Sequence, residues 1–279
     1  MCLRKLMHLS LLALLVAGPL WIYAANKRAV LPPSGAIVAE LSQEPIQQRV
    51  EQQSYQFDYM DASYSIFPKA KYEIYGMVVT KNNISSIANI YHTSSSVDFK
   101  DLCVLWGPNV KGEVYKEAKF WSDPFTCWYQ PQTPRARREF SVDHIANNHL
   151  LSKFKSVRES VNSVNIGDQV YMSGYLIDYC PLGSPHQMRK TSMVRTDTGP
   201  GACEVLMVED FEILFRNNPF WNQLYFKSKS AFWILLVLVP LFWLGWIYQE
   251  QRKQKASLDE AKRSYQRRFV KSPKEPEQY

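Results

Sequence analysis

AFWILLVLVPLFWLGWIY, residues 231–248, carries no charged side chain. A helix needs about 20 such residues to cross roughly 30 Å of bilayer hydrocarbon. The stretch therefore predicts a transmembrane helix, kinked at Pro240, whose ring leaves a carbonyl without its N–H partner. Working outward, one other segment reads the same way: Leu6–Ala25, with His8 and Tyr23 as its ionisable groups. A cleaved signal peptide is the alternative reading of residues 6–25. It is disfavoured because Tyr23 would fall at the −3 position of a cut after Ala25, where a small residue belongs.

Basic residues set the expected orientation. Arg4 and Lys5 precede the first span, and Arg252, Lys253, Lys255, Lys262, Arg263, Arg267 and Arg268 follow the second. Lys and Arg concentrate on the cytosolic side, so both termini are expected in the cytosol and the main domain in the periplasm or the lumen/exterior. Lys27, Arg28, Lys227 and Lys229 weaken the contrast, but a long domain translocates largely regardless of its charge. The expected organisation is a cytosolic N-terminus (1–5), a first span (6–25), a linker (26–60), an extracytoplasmic β-rich domain (61–218), a juxtamembrane aromatic belt (219–230), a second span (231–248) and a basic cytosolic tail (249–279). Trp21, Trp221, Tyr225, Trp243, Trp246 and Tyr248 mark the borders, where indole and phenol rings prefer the headgroup layer.

The net charge of +7 is spread unevenly. Residues 26–230 hold 22 Lys and Arg against 21 Asp and Glu. A nearly neutral domain lacks the positive field that nucleic acid requires, so nucleic acid is disfavoured and the expected partners are the lipid bilayer and a membrane or envelope protein.

Five cysteines divide as one near the N-terminus, Cys2, and four in the large domain: Cys103, Cys127, Cys180 and Cys203. An even set outside the cytosol suits disulfide chemistry. Three connectivities are open, and the local pairs Cys103–Cys127 and Cys180–Cys203 are favoured. No C-x-x-C and no close Cys–His spacing argues for a metal; neither metal nor cofactor is expected.

Strand signals recur through the domain: YEIYGMVVT (72–80), DLCVLW (101–106), an aromatic run at 120–129, QVYMSGYLIDY (169–179), a polar alternating stretch at 187–196 and ACEVLMVEDFEIL (202–214). They are β-branched or aromatic and punctuated by Gly, Pro and Asn. Helices are expected near 44–53 and over 148–163, the latter with Leu150, Leu151, Phe154, Val157 and Val161 roughly on one face. The fold class is α+β, a β-rich extracytoplasmic domain between two transmembrane helices; a barrel of five or six strands, OB-like in one version, is one expected shape.

Chemistry-bearing motifs are sparse. No Walker loop, G-x-S-x-G, H-E-x-x-H or G-x-G-x-x-G is present. Asp143, His144 and His149 are the catalytic candidates, since an acid and an imidazole can form a base and its orienter. The plainer reading places Asn147 and Asn148 in a turn before the helix. Arg195, Asp197 and Glu204 surround the turn Gly199-Pro200-Gly201 and are binding candidates, as a guanidinium and carboxylates organise a polar pocket or clamp a hairpin. Arg195→Ala is accordingly expected to impair activity more than folding. Arg135, Arg137 and Arg138 form the one dense basic run of the external domain, read as a surface loop open to a polyanion, beside Trp121, Trp128 and Tyr129. Asn83-Ile84-Ser85 is a glycosylation sequon, and SPKEPEQY at the C-terminus is expected to be disordered.

Two function classes follow. The first is a non-enzymatic envelope protein whose external domain binds a partner protein. The alternative is a membrane-tethered hydrolase using His144 or His149 with a nearby carboxylate.

Overall fold

The computed structural model describes residues 3–83, 97–123, 126–197 and 202–269. Ile84 and Ser85 of the sequon, the Gly199-Pro200-Gly201 turn and the terminal SPKEPEQY lie outside the described residues. The chain forms two compact units, Met1–Ala25 with Gln223–Tyr279, and Asn26–Asn222.

The first unit is built from two long helices, α1 (Leu3–Arg28) and α5 (Pro219–Phe269). Both are long and apolar enough to cross a membrane. They pack antiparallel: the Trp21 ring meets Tyr225, Phe232 and Trp233, Gly18 faces Phe232, and Gly245 faces Leu3. Leu9, Leu12, Leu15, Val16 and Ile22 of α1, and Ile234, Val237, Leu241 and Leu244 of α5, are each more than half exposed. Water would penalise so much contiguous apolar surface, whereas lipid solvates it.

The second unit is organised by β3 (Ala62–Asn83), a 22-residue strand. β1 (Ile46–Arg49) and β2 (Tyr55–Tyr59) pair antiparallel with it. β3 continues antiparallel to β4 (Lys100–Leu105), which pairs with β7 (Ile145–Leu151). β7 runs parallel to β9 (Glu204–Phe215), β9 antiparallel to β8 (Gln169–Pro181), and β8 antiparallel to β3. The pairing path thus returns to the strand where it began. Bulges near Lys69 and Val79 let β3 turn from one partner to the next. At Gly174 a Cβ would lie 2.0 Å from the Met207 carbonyl oxygen, so only glycine permits β8 and β9 to approach this closely.

One sheet face carries the largest apolar cluster, including Tyr72, Val104, Trp106, Leu150, Met172 and Leu206. The helix α4 (Lys155–Asn162) adds Val157 and Val161 to it. Two further clusters contain Phe57, Ile66, Leu151 and Val205, and Leu41, Met77, Cys103 and Tyr115. A separate hairpin joins β5 (Ala118–Ser122) and β6 (Cys127–Pro131). It is tied to β4 by the Cys103–Cys127 disulfide. The remaining helices are short: α2 (Pro108–Lys111) and α3 (Pro134–Glu139).

Several local expectations are overturned. Residues 46–49, expected in a helix, extend as β1 because β3 offers an open edge; Gln47 also donates to the Met193 carbonyl at 3.1 Å. The expected helix over 148–163 divides into the end of β7 and α4. Leu150 and Leu151 are buried in different clusters, which suits a strand covered on both faces. Asn147 and Asn148 are therefore strand residues and form no turn. Residues 187–196 form one bridge, Arg189 to Tyr179, rather than a strand. The segment expected as a linker is packed, with Leu41 fully buried and the Tyr115 hydroxyl donating to the Pro32 carbonyl at 2.7 Å.

Candidate functional site

The register of three strands assembles a polar cluster that no local motif announces. Asp101 on β4 lies opposite His149 on β7, and Cys103 opposite Asn147. Asn148 pairs in parallel with Glu204, and His149 with Val205. Because side chains alternate along a strand, Cys203, just before β9, turns to the Asn147 and His149 face, and Glu204 turns to the other.

On the first face, His149 Nδ1 lies 2.7 Å from Asp101 Oδ1. His149 also hydrogen-bonds Cys203. The Asn147 amide donates to Cys203 Sγ at 3.6 Å, and Thr126 Oγ1 approaches the same sulfur at 3.6 Å. Arg189 Nη2 sits 2.7 Å from His149 Nε2. Asp101, His149 and Cys203 are 2%, 5% and 8% exposed, so their mutual charges act with little screening from solvent.

Burial alone would lower the basicity of His149, but its hydrogen bonds to Asp101 and Cys203 outweigh it and lift the imidazole to about 10. Burial raises the Cys203 thiol, yet its hydrogen bonds with His149, Asn147 and Thr126, and the charge of a protonated His149, bring it below its ordinary value. Arg189 opposes the imidazolium. A guanidinium only donates, so the 2.7 Å contact is a hydrogen bond when Nε2 carries a bare lone pair. With Arg189 seated, we therefore assign a neutral ring with its proton on Nδ1, donated to Asp101. The positive charge of Arg189 at 2.7 Å works against the rise that Asp101 and Cys203 produce.

Asp98, Asp101 and His149 also offer donor atoms within 4.8 Å of one another. The 2.7 Å separation of Nδ1 and Oδ1 is that of two atoms sharing a proton. Ligands at the usual 2.0–2.2 Å from zinc stand farther apart in tetrahedral geometry, so this arrangement favours proton transfer over metal binding.

The opposite face holds the second cluster. Arg195 Nη1 bonds Glu204 Oε1 at 2.9 Å, and Nη2 bonds the Tyr72 hydroxyl at 2.7 Å. The guanidinium also lies over the Tyr72 and Trp106 rings, at 5.0 and 5.3 Å. Burial lifts the Glu204 carboxyl to about 7, and Arg195 offsets only part of that rise. Asp197, the third binding candidate, instead accepts from Ser192 at 2.6 Å.

The other candidates separate. His144 bonds Ser141 Oγ through Nδ1 at 2.7 Å and Glu44 Oε1 through Nε2 at 2.8 Å. Asp143 is on the same short turn, Val142–His144, and His149 finds Asp101 rather than this neighbour. Arg135, Arg137 and Arg138 form α3 instead of a loop; Thr133 caps the helix, and Arg135 pairs with Glu117 and Glu139.

Cys103 and Cys127 form the first expected disulfide. The second expected pair is not formed: Cys180 and Cys203 are both buried, and neither is in a disulfide. Tyr179 bonds Arg189 through both backbone groups, and the Ser192 amide bonds the Cys203 carbonyl, so residues 189–192 run between the two cysteines.

Sequence reasoning singled out His149 but missed Asp101, Arg189, Asn147 and the role of Cys203. The available signal was Asp101 itself, a carboxylate inside the apolar run DLCVLW that demanded a buried partner. Comparison with protein-family models, curated proteins and solved structures yields no match for this chain.

Proposed function

We propose that this chain is a membrane-anchored, thiol-dependent acyl-transfer hydrolase, with Cys203 as nucleophile, His149 as general base and Asp101 as its orienter. The observation that carries the reading is that one buried imidazole bonds both a carboxylate and a thiol. Asp101 fixes the ring proton on Nδ1, which leaves Nε2 as the basic atom. The Cys203 proton passes to Nε2 as sulfur attacks the acyl carbonyl. The leaving group departs with that proton, and an S-acyl cysteine remains. Water, deprotonated by His149, then releases the acid and restores the thiol. The Asn147 amide is placed beside the sulfur to donate to the oxyanion.

In this reading both termini lie in the cytosol and the Asn26–Asn222 unit lies outside. Antiparallel packing of α1 and α5, basic residues at the two chain ends and a disulfide in the unit support that placement. The circuit β3–β4–β7–β9–β8, with α4 between β7 and β8, supports an OB-like barrel as the scaffold.

The test is to incubate the full chain in detergent micelles with p-nitrophenyl esters and map adducts by mass spectrometry. An acyl group on Cys203, lost in Cys203→Ala, is expected. Turnover that survives Cys203→Ala overturns the assignment.

A second reading, the non-enzymatic partner-binding module, is favoured by one feature. Trp121 and Trp128 pair across the β5–β6 hairpin and are 47% and 48% exposed, the kind of rigid aromatic surface that anchors protein interfaces. Cross-linking in native membranes that captures one partner, and loses it in Trp121→Ala with Trp128→Ala while Cys203 stays inert, would select this reading.

A further inference from the structure

Acyl transfer by Cys203 and His149 leaves Arg189 without a purpose. Its backbone is fixed, donating to and accepting from Tyr179 at 2.8 and 2.9 Å. Its guanidinium is held differently, by a bond to His149 Nε2 at 2.7 Å. The arginines that pair with carboxylates among the described residues are Arg135, Arg195 and Arg216. Arg189 makes no such pair there. A guanidinium carries five N–H donors in a planar fork that matches a carboxylate or phosphate. It is placed at the one ring atom that must be vacated before His149 can act as base.

We infer that Arg189 is the recognition residue of this site, selecting an acyl donor that carries a carboxylate or phosphate and releasing His149 Nε2 when that anion binds. The inference rests on the acyl-transfer reading above. At rest, Nε2 accepts from Arg189 and the ring is neutral. A bound anion draws the guanidinium away, since a charge-assisted bidentate pair is stronger than a single bond to neutral imidazole. Nε2 is then free to take the Cys203 proton. Binding of an anionic substrate and activation of the thiol become one event, so anionic acyl donors react faster than neutral ones.

Iodoacetate and iodoacetamide test this directly, because they differ by a carboxylate on otherwise similar electrophiles. With either reagent the Cys203 sulfur forms a C–S bond as the C–I bond breaks and iodide leaves. Rates at Cys203 in the full chain, in detergent micelles, are followed by peptide mass spectrometry against a small free thiol. The iodoacetate-to-iodoacetamide rate ratio at Cys203 is expected to exceed that of the small thiol by about tenfold, one charge-assisted hydrogen bond's worth of discrimination. It should fall to the small-thiol ratio in Arg189→Gln and be partly retained in Arg189→Lys. Retention of the Cys103–Cys127 disulfide and of the circular dichroism spectrum checks folding of each variant. If Arg189→Gln does not fold, the wild-type ratio alone decides. A wild-type ratio equal to that of the small thiol overturns the inference while leaving Cys203 a nucleophile. Cys203 that resists both reagents when folded, yet reacts in urea, overturns the acyl-transfer reading itself.

Discussion

Cys203 and Glu204 are neighbours in the chain, face opposite sides of one strand end, and each site contains an arginine used in a different way. Arg195 is held at both terminal nitrogens: it bonds Glu204 and Tyr72 and lies on two aromatic rings. Arg189 bonds one imidazole nitrogen. A guanidinium anchored at both terminal nitrogens and lying over aromatic rings holds strands together. One with donors to spare, next to a thiol and its base, is poised to exchange partners. The comparison assigns structure to the Glu204 face and chemistry to the Cys203 face.

The largest expected effects break the Cys203 face. Cys203→Ala should abolish esterase turnover, measured by p-nitrophenol release, with the fold intact. Asp101→Asn removes the acceptor that fixes the Nδ1 proton, and turnover should fall about a thousandfold; an unchanged rate would remove Asp101 from the machinery.

The next effect falls on the Glu204 face. Arg195→Ala leaves Glu204 buried without its cation and should cost about 3–5 kcal/mol in urea denaturation. Loss of folded protein is therefore the expected outcome there, replacing the loss of activity anticipated from sequence. Glu204 also gives this face a pH signature. Its folded value, about 7, is above its ordinary 4.5, so the native state holds the proton more tightly. That stability is fully present below about pH 4.5 and is lost as pH rises through about 7. Glu204→Gln should flatten unfolding free energy across that window, whereas a curve that stays sloped would place the titration elsewhere.

Smaller effects sharpen the contrast with the periphery. Replacing both Cys103 and Cys127 opens a link between residues 24 apart, which should cost about 3 kcal/mol by loop-closure entropy. The exposed Arg135, paired with Glu117 and Glu139, should barely change the urea midpoint on change to Ala, since solvent screens surface ion pairs.

Legibility in the sequence follows the same division. The stretches 101–106, 169–179 and 202–214 announced β4, β8 and β9 because alternation and β-branched residues are local signals. The apolar runs 6–25 and 231–248 likewise announced α1 and α5. β1 was not legible, because its polar, largely exposed residues owe their extended form to β3; β2, whose Phe57 is buried, lay inside the segment read as a linker. The site was legible as single residues only. His149 and Asp101 are 48 positions apart, and only the register between β4 and β7 brings them together. Cys203 misled because spacing in the chain suggested Cys180, while the intervening segment 189–192 separates them in space.

The most direct test is the pH dependence of Cys203 alkylation by iodoacetate, in the wild type and in His149→Ala, with Cys180 as internal reference. An activated thiol predicts a wild-type midpoint below the ordinary 9.0, displaced upward when the imidazole is removed. A midpoint at or above that value, unmoved by His149→Ala, would contradict a working thiol–imidazole pair.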